Sequence, residues 1–205
     1  MALGNLGDGL VFGSGAFLLY AARDLGVAPA AVGGVFAGLG IGGIAGAALV
    51  GPITARAGFG RTVIATVLVW AIGVSSLAAV PMQRGSTVAV LTAIFAWVGL
   101  VNPIFNTNLL SLVQTVTPPL LLGRITGTSR FMTWGVLPIG AALGGQLAEI
   151  LGLRAPILVA GALSLAAFVV LATSRVRGIV SVAAAARLPG PEAGPRLGSS
   201  AVRRP

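Results

Sequence analysis

Charged residues lie so far apart in this chain that the stretches between them dictate the medium it folds in. Residues 25–55, 62–83, 85–123, 131–148 and 155–174 carry no charge, and residues 1–22 carry only Asp8. A helix rising 1.5 Å per residue needs about 20 apolar residues to cross a hydrocarbon core of roughly 30 Å. Each run fits one crossing, and 85–123 fits a crossing plus a loop, because Pro118-Pro119 stops the helix. The runs are continuous rather than alternating, and backbone inside a bilayer must bond internally, so the crossings are helices. The expectation is an all-α membrane protein whose six transmembrane helices lie near 3–22, 31–51, 62–81, 87–112, 127–149 and 156–174. Residues 1–175 form that bundle, and 176–205, rich in Pro, Gly, Ser and Arg, form a disordered basic cytoplasmic tail. The first run lacks a basic leader and a cleavage site, and reads as a span rather than a signal peptide.

Composition closes off other classes. Hydrophobic residues make up 56% of the chain and charged residues 8%, against about 25% in a soluble domain. With no His and no Cys, the usual zinc sites, thiol chemistry and histidine bases are excluded. Every basic residue is Arg, so a Walker A lysine and a Schiff-base lysine are excluded too. The acids are Asp8, Asp24, Glu149 and Glu192. The expectation is no enzyme, no cofactor and no metal. The net charge of +9 comes from arginines scattered singly between apolar runs, which is membrane topology and not a nucleic-acid surface. Arg56, Arg61, Arg124, Arg130 and the six tail arginines fall on one side, against Arg23, Arg84 and Arg154 on the other. The positive-inside rule then puts both termini in the cytoplasm of a cell whose inner (plasma) membrane holds the chain.

An internal repeat is visible. Gly46-Ala47-Ala48-Leu49-Val50-Gly51 recurs as Gly140-Ala141-Ala142-Leu143-Gly144-Gly145, and Gly58 recurs as Gly152. The copies end the second and fifth helices, as expected if helices one to three and four to six are two copies of one unit. An odd number of crossings per copy inverts one copy against the other. Gly34, Gly38, Gly42 and Gly46 form a four-residue ladder on the second helix, a groove for close helix packing, and Gly140 and Gly144 repeat the device on the fifth.

Polar residues inside the spans nominate a site. Only 14 residues separate Asp8 from Arg23, too few to cross, so Asp8 enters or borders the apolar zone. It is a candidate for proton coupling or for a cationic substrate, or else sits at headgroup level near a helix N-terminus. Asn102 and Asn106 share a face of the fourth helix, with Pro103 between them and Asn108 and Gln114 beyond. They either line a cavity or hydrogen-bond between helices. Arg130 snorkels to the interface or faces the cavity beside Trp134, with which it shares a helix face. Trp70 and Trp97 read as packing and Tyr20 as part of the outer aromatic belt. Gly13-Ser14-Gly15 has the look of a nucleophile turn, but no base exists to activate Ser14.

The segment from Gly51 to Arg61, Gly-Pro-Ile-Thr-Ala-Arg-Ala-Gly-Phe-Gly-Arg, resembles the G-x-x-x-D-R-x-G-R-[RK] loop of the major facilitator superfamily. Gly51, Arg56 and Gly58 match it, Arg61 closes the segment, and the acidic position is Ala55. Residues 122–154, from Leu122-Gly123-Arg124 to Leu151-Gly152-Leu153-Arg154, resemble the eleventh helix of the branch that includes enterobactin and macrolide exporters. The resemblance spans about residues 5–175 and implies the C-terminal six helices of a twelve-helix, ion-gradient-driven exporter of small amphipathic molecules such as drugs or siderophores. It implies a gating loop at Gly51–Arg61, and a cavity lined by the first and fourth helices, with Asp8, Asn102 and Asn106. It also implies partners: the lipid bilayer, a small-molecule substrate, and an N-terminal six-helix half or a second copy of the chain. Two rival expectations are a non-transporting six-helix scaffold and a homodimeric twelve-helix transporter.

Overall fold

The computed structural model describes residues 2–80 and 86–174; Arg84 and the tail at 176–205 lie outside them. Seven α-helices follow in order: α1 (Ala2–Asp8), α2 (Ala16–Leu19), α3 (Pro29–Ala57), α4 (Phe59–Ser76), α5 (Thr87–Val116), α6 (Pro119–Leu151) and α7 (Arg154–Thr173). Five of them, α3 to α7, are long and apolar enough to cross a membrane.

The first run is helical but is not the continuous α-helix expected over 3–22. Wider π-type turns occupy Gly9–Gly13 and Tyr20–Asp24, and Gly15 sits at φ 73°, where the helix breaks between Ser14 and Ala16. The Ser14 hydroxyl fills part of the gap: its Oγ donates to the Leu10 carbonyl at 2.5 Å and accepts from the Ala16 amide at 3.1 Å. Breaks of this kind are tolerated at membrane depth where protein surrounds them. Here Leu10, Val11, Ala16, Phe17 and Tyr20 are all buried in the bundle. Tyr20 is not in an aromatic belt: it is 0% exposed, and the Arg154 guanidinium lies 5.8 Å from its ring centroid.

Other boundaries also differ from the expected spans. α3 continues through Pro52 to Ala57, and α6 begins at Pro119 instead of near 127, so Arg56 and Arg124 are helical rather than in loops, while Arg130 is helical as its expected span has it. The segment expected to be a gating loop is therefore no loop. Gly51 and Arg56 stand in the last turns of α3, Arg61 in the first turn of α4, and Gly58 alone makes the corner. Gly58 can do so because its φ of 81° carries no Cβ penalty, and its N–H closes α3 on the Thr54 carbonyl at 3.0 Å. Gly152 repeats the corner between α6 and α7, with φ 90° and its N–H on the Ala148 carbonyl at 3.1 Å.

Two glycine seams hold the bundle. Gly38, Gly42 and Gly46 of α3 lie directly on the backbone of α5 at Thr92, Ala96 and Leu100, and Gly99 of α5 lies on Leu39 of α3. A Cβ at any of these positions would overlap a carbonyl of the facing helix. Lipid tails are as apolar as the helices, so this close approach, not a hydrophobic drive, supplies the association energy. Gly34 is not part of the seam: it is exposed, with nothing near its Cβ position. The second seam joins the first run to α6, where Gly140 and Gly144 lie against Leu6, Gly9 and Leu10. The two seams share a register. Gly46 faces Leu100 and Pro103; 94 positions on, Gly140 faces Leu6 and Gly9, each 94 positions before its counterpart.

Candidate functional site

The first run and α5 carry their polar residues to a common place because each departs from a regular helix there. In α5, Pro103 has no N–H to give to the Gly99 carbonyl one turn back. Asn106 Nδ2 back-bonds to the Asn102 carbonyl at 3.0 Å and to Asn102 Oδ1 at 3.1 Å, pinning the two amides along one face. In the first run, Asp8 precedes the π-type turn, and Asn5 Nδ2 donates to the Thr133 carbonyl of α6 at 2.7 Å. Asn5 thereby anchors α1, and Asp8, three residues on, projects toward α5.

Asp8, Asn102 and Asn106 meet at a cavity of about 130 Å³ lined by α1, α4, α5, α6 and α7, and open on the side where the two asparagines are exposed. Asn5, Thr66, Thr133 and Ser164 complete its polar wall. A second chamber of about 650 Å³ lies toward the other end of the bundle, walled by Phe12, Phe17, Phe36 and Phe95. Their rings pack on one another, with Phe17–Phe95 at 4.8 Å and edge-on Phe36–Phe95 at 5.2 Å between centroids. Asp8, Trp70 and Asn102 line both spaces and so form the junction between them. Among the described residues nothing donates a hydrogen bond to the Asp8 carboxylate, and no arginine lines either space.

Other nominated residues lie elsewhere. Arg130 and Trp134 occupy the outward face of α6, Trp134 being 68% exposed, and neither lines the junction. Asn108 turns the opposite way from Asn106 and is buried against α3, where its side-chain amide exchanges hydrogen bonds of 3.0 and 3.1 Å with the Thr54 hydroxyl. It also donates to the Ile104 carbonyl at 2.8 Å. Trp70, read from sequence as packing, does pack against the core and also lines both spaces. Asn5, Thr66 and Ser164 went unread, since single polar residues in apolar runs have no period to betray them. One signal was present: at the 94-residue offset of the repeat, Asp8 corresponds to Asn102 and Trp70 to Ser164.

The sequence profile of the Major Facilitator Superfamily matches residues 1–203. No curated protein and no solved structure matches the chain.

Proposed function

Because the chain belongs to the Major Facilitator Superfamily, a superfamily of membrane transporters, we propose that it is a six-span half of an ion-gradient-driven exporter of small amphipathic molecules, of the enterobactin and macrolide exporter type. The observation that carries this reading is the junction itself, where an unpartnered carboxylate from the first run and two asparagines from α5 converge on one cavity. A six-helix scaffold that transports nothing has no use for such a group, because burying a charge without a partner costs stability.

In this reading the broken first run is the first of six crossings, and the two glycine seams are equivalent contacts of two inverted three-helix repeats. Swapping the repeats exchanges the second and fourth crossings with the fifth and first, which accounts for the common 94-residue offset. Both termini are cytoplasmic and the membrane is the inner (plasma) membrane. The apolar outward faces of α3 and α6, with Ile41, Ile44, Phe131 and Ile150 exposed, are surfaces for lipid and for an N-terminal six-helix half or a second copy.

The test is transport. Everted vesicles from cells expressing the chain in its native gene context should accumulate a fluorescent amphipathic dye when a proton gradient is imposed, and Asp8→Asn should abolish that accumulation. Unchanged uptake in Asp8→Asn, with unchanged sensitivity to a protonophore, refutes the coupling role.

A further inference from the structure

The two spaces that meet at Asp8 differ in chemistry, and a ligand spanning them must match both. The smaller sets the amides and hydroxyls of Asn5, Asn102, Asn106, Thr66, Thr133 and Ser164 into an otherwise apolar wall, and the larger is lined by phenyl rings and aliphatic side chains. Asp8 is the one acid among the residues lining either space, and no base is there to neutralise it. A monocation placed at the carboxylate removes the imbalance; an anion adds to it, and a dication leaves one charge uncompensated. Trp70 lines the same two spaces as Asp8, and of the aromatic side chains an indole attracts cations most strongly. The larger chamber, at about 650 Å³, is of the size that encloses a drug-like molecule.

We propose that the junction binds a monovalent lipophilic organic cation, its ammonium or phosphonium centre held between Asp8 and Trp70 and its aromatic body among Phe12, Phe17, Phe36 and Phe95. The proposal names the substrate class for the transport reading above and rests on it. Anionic siderophores are excluded from this site, and neutral amphiphiles bind it more weakly than cations of the same shape.

The test uses two probes of nearly the same shape and opposite charge, tetraphenylphosphonium and tetraphenylborate, in equilibrium dialysis against the purified full chain in detergent, with empty micelles subtracted. Saturable binding of the phosphonium and none of the borate is expected. Asp8→Asn should weaken phosphonium binding at least about tenfold, as loss of a charged contact worth 1.5–3 kcal/mol implies. Asp8→Glu should retain it, and Trp70→Leu should weaken it about three- to tenfold. Saturable binding of the borate with equal or higher affinity, or phosphonium binding untouched in Asp8→Asn, overturns the proposal. The wild-type comparison of the two ions decides the matter even if Asp8→Asn fails to fold. Saturable phosphonium binding without movement across vesicles would sink the transport reading and leave this site standing. Transport of a neutral or anionic solute by a chain that ignores phosphonium would overturn the site and leave transport standing.

Discussion

Gly42 and Gly34 are both glycines on α3, two steps apart on the same sequence ladder, yet alanine should do opposite things at each. At Gly42 an added Cβ runs into the Ala96 carbonyl, and at Gly46 it meets the Leu100 backbone and Pro103 Cγ, the latter at 2.8 Å. These neighbours are backbone and a proline ring, not the ends of flexible side chains, so they cannot step aside. Carbon contacts are comfortable near 3.5 Å, which requires α3 and α5 to part by about 1 Å along the seam. Forcing a methyl into such packing costs about 1–3 kcal/mol. At Gly34 the same methyl enters open space. There Gly→Ala only removes unfolded-chain freedom, a gain of about 0.5–1 kcal/mol. The two variants should therefore differ by about 1.5–4 kcal/mol, in opposite senses about the wild type. Unfolding by SDS in mixed micelles, followed by far-UV circular dichroism, reads the difference directly. Equal midpoints for Gly34→Ala and Gly42→Ala would refute the claim that backbone contact at the seam holds these helices together.

Two further outcomes follow from the same packing. In a double-mutant cycle of Thr54→Val and Asn108→Ala, read by the same SDS titration, the pair should show a coupling of about 0.6 kcal/mol, the usual size for a hydrogen bond between membrane helices; strict additivity would mean the contact contributes nothing. Gly58→Ala and Gly152→Ala should each lose about 1–3 kcal/mol because each forces a Cβ onto a positive-φ corner, while Gly145→Ala, which meets nothing, should cost no stability.

The crossings were legible because medium dominates: α3 to α7 coincide with charge-free runs, and an arginine at a helix end does not stop a helix. That last point is also why the ends were misjudged. Arg56 and Arg124 fall outside the expected spans, yet both stand in helical backbone with exposed side chains, and Pro52 sits where a helix was expected to have ended. Gly34 failed for a geometric reason. Each four-residue step advances about 40° around a helix of 3.6 residues per turn, so three steps from Gly46 carry Gly34 roughly 120° away from the seam. The same rotation separates Asn108 from Asn106: two positions apart is about 200°, just over half a turn, which sends one amide into α3 and leaves the other at the cavity. Asp8, Asn102 and Asn106 were found because polar groups in apolar spans stand out, whereas the Phe12, Phe17, Phe36 and Phe95 chamber was invisible among so many apolar residues. Gly13-Ser14-Gly15, set aside as a nucleophile turn for want of a base, carries no sequence signal of the helix break that its serine bridges.

The account's central claim is that helices embedded in a bilayer enclose a polar space around Asp8, Asn102 and Asn106. The chain has no cysteine, so single-cysteine variants can be labelled in intact membranes without background. Asn102→Cys and Asn106→Cys should react readily with a charged, water-soluble maleimide, and Leu165→Cys, on the exposed apolar face of α7, should stay unlabelled. If the α7 position reacts as fast as the two α5 positions, the helices are bathed in water and the claim fails.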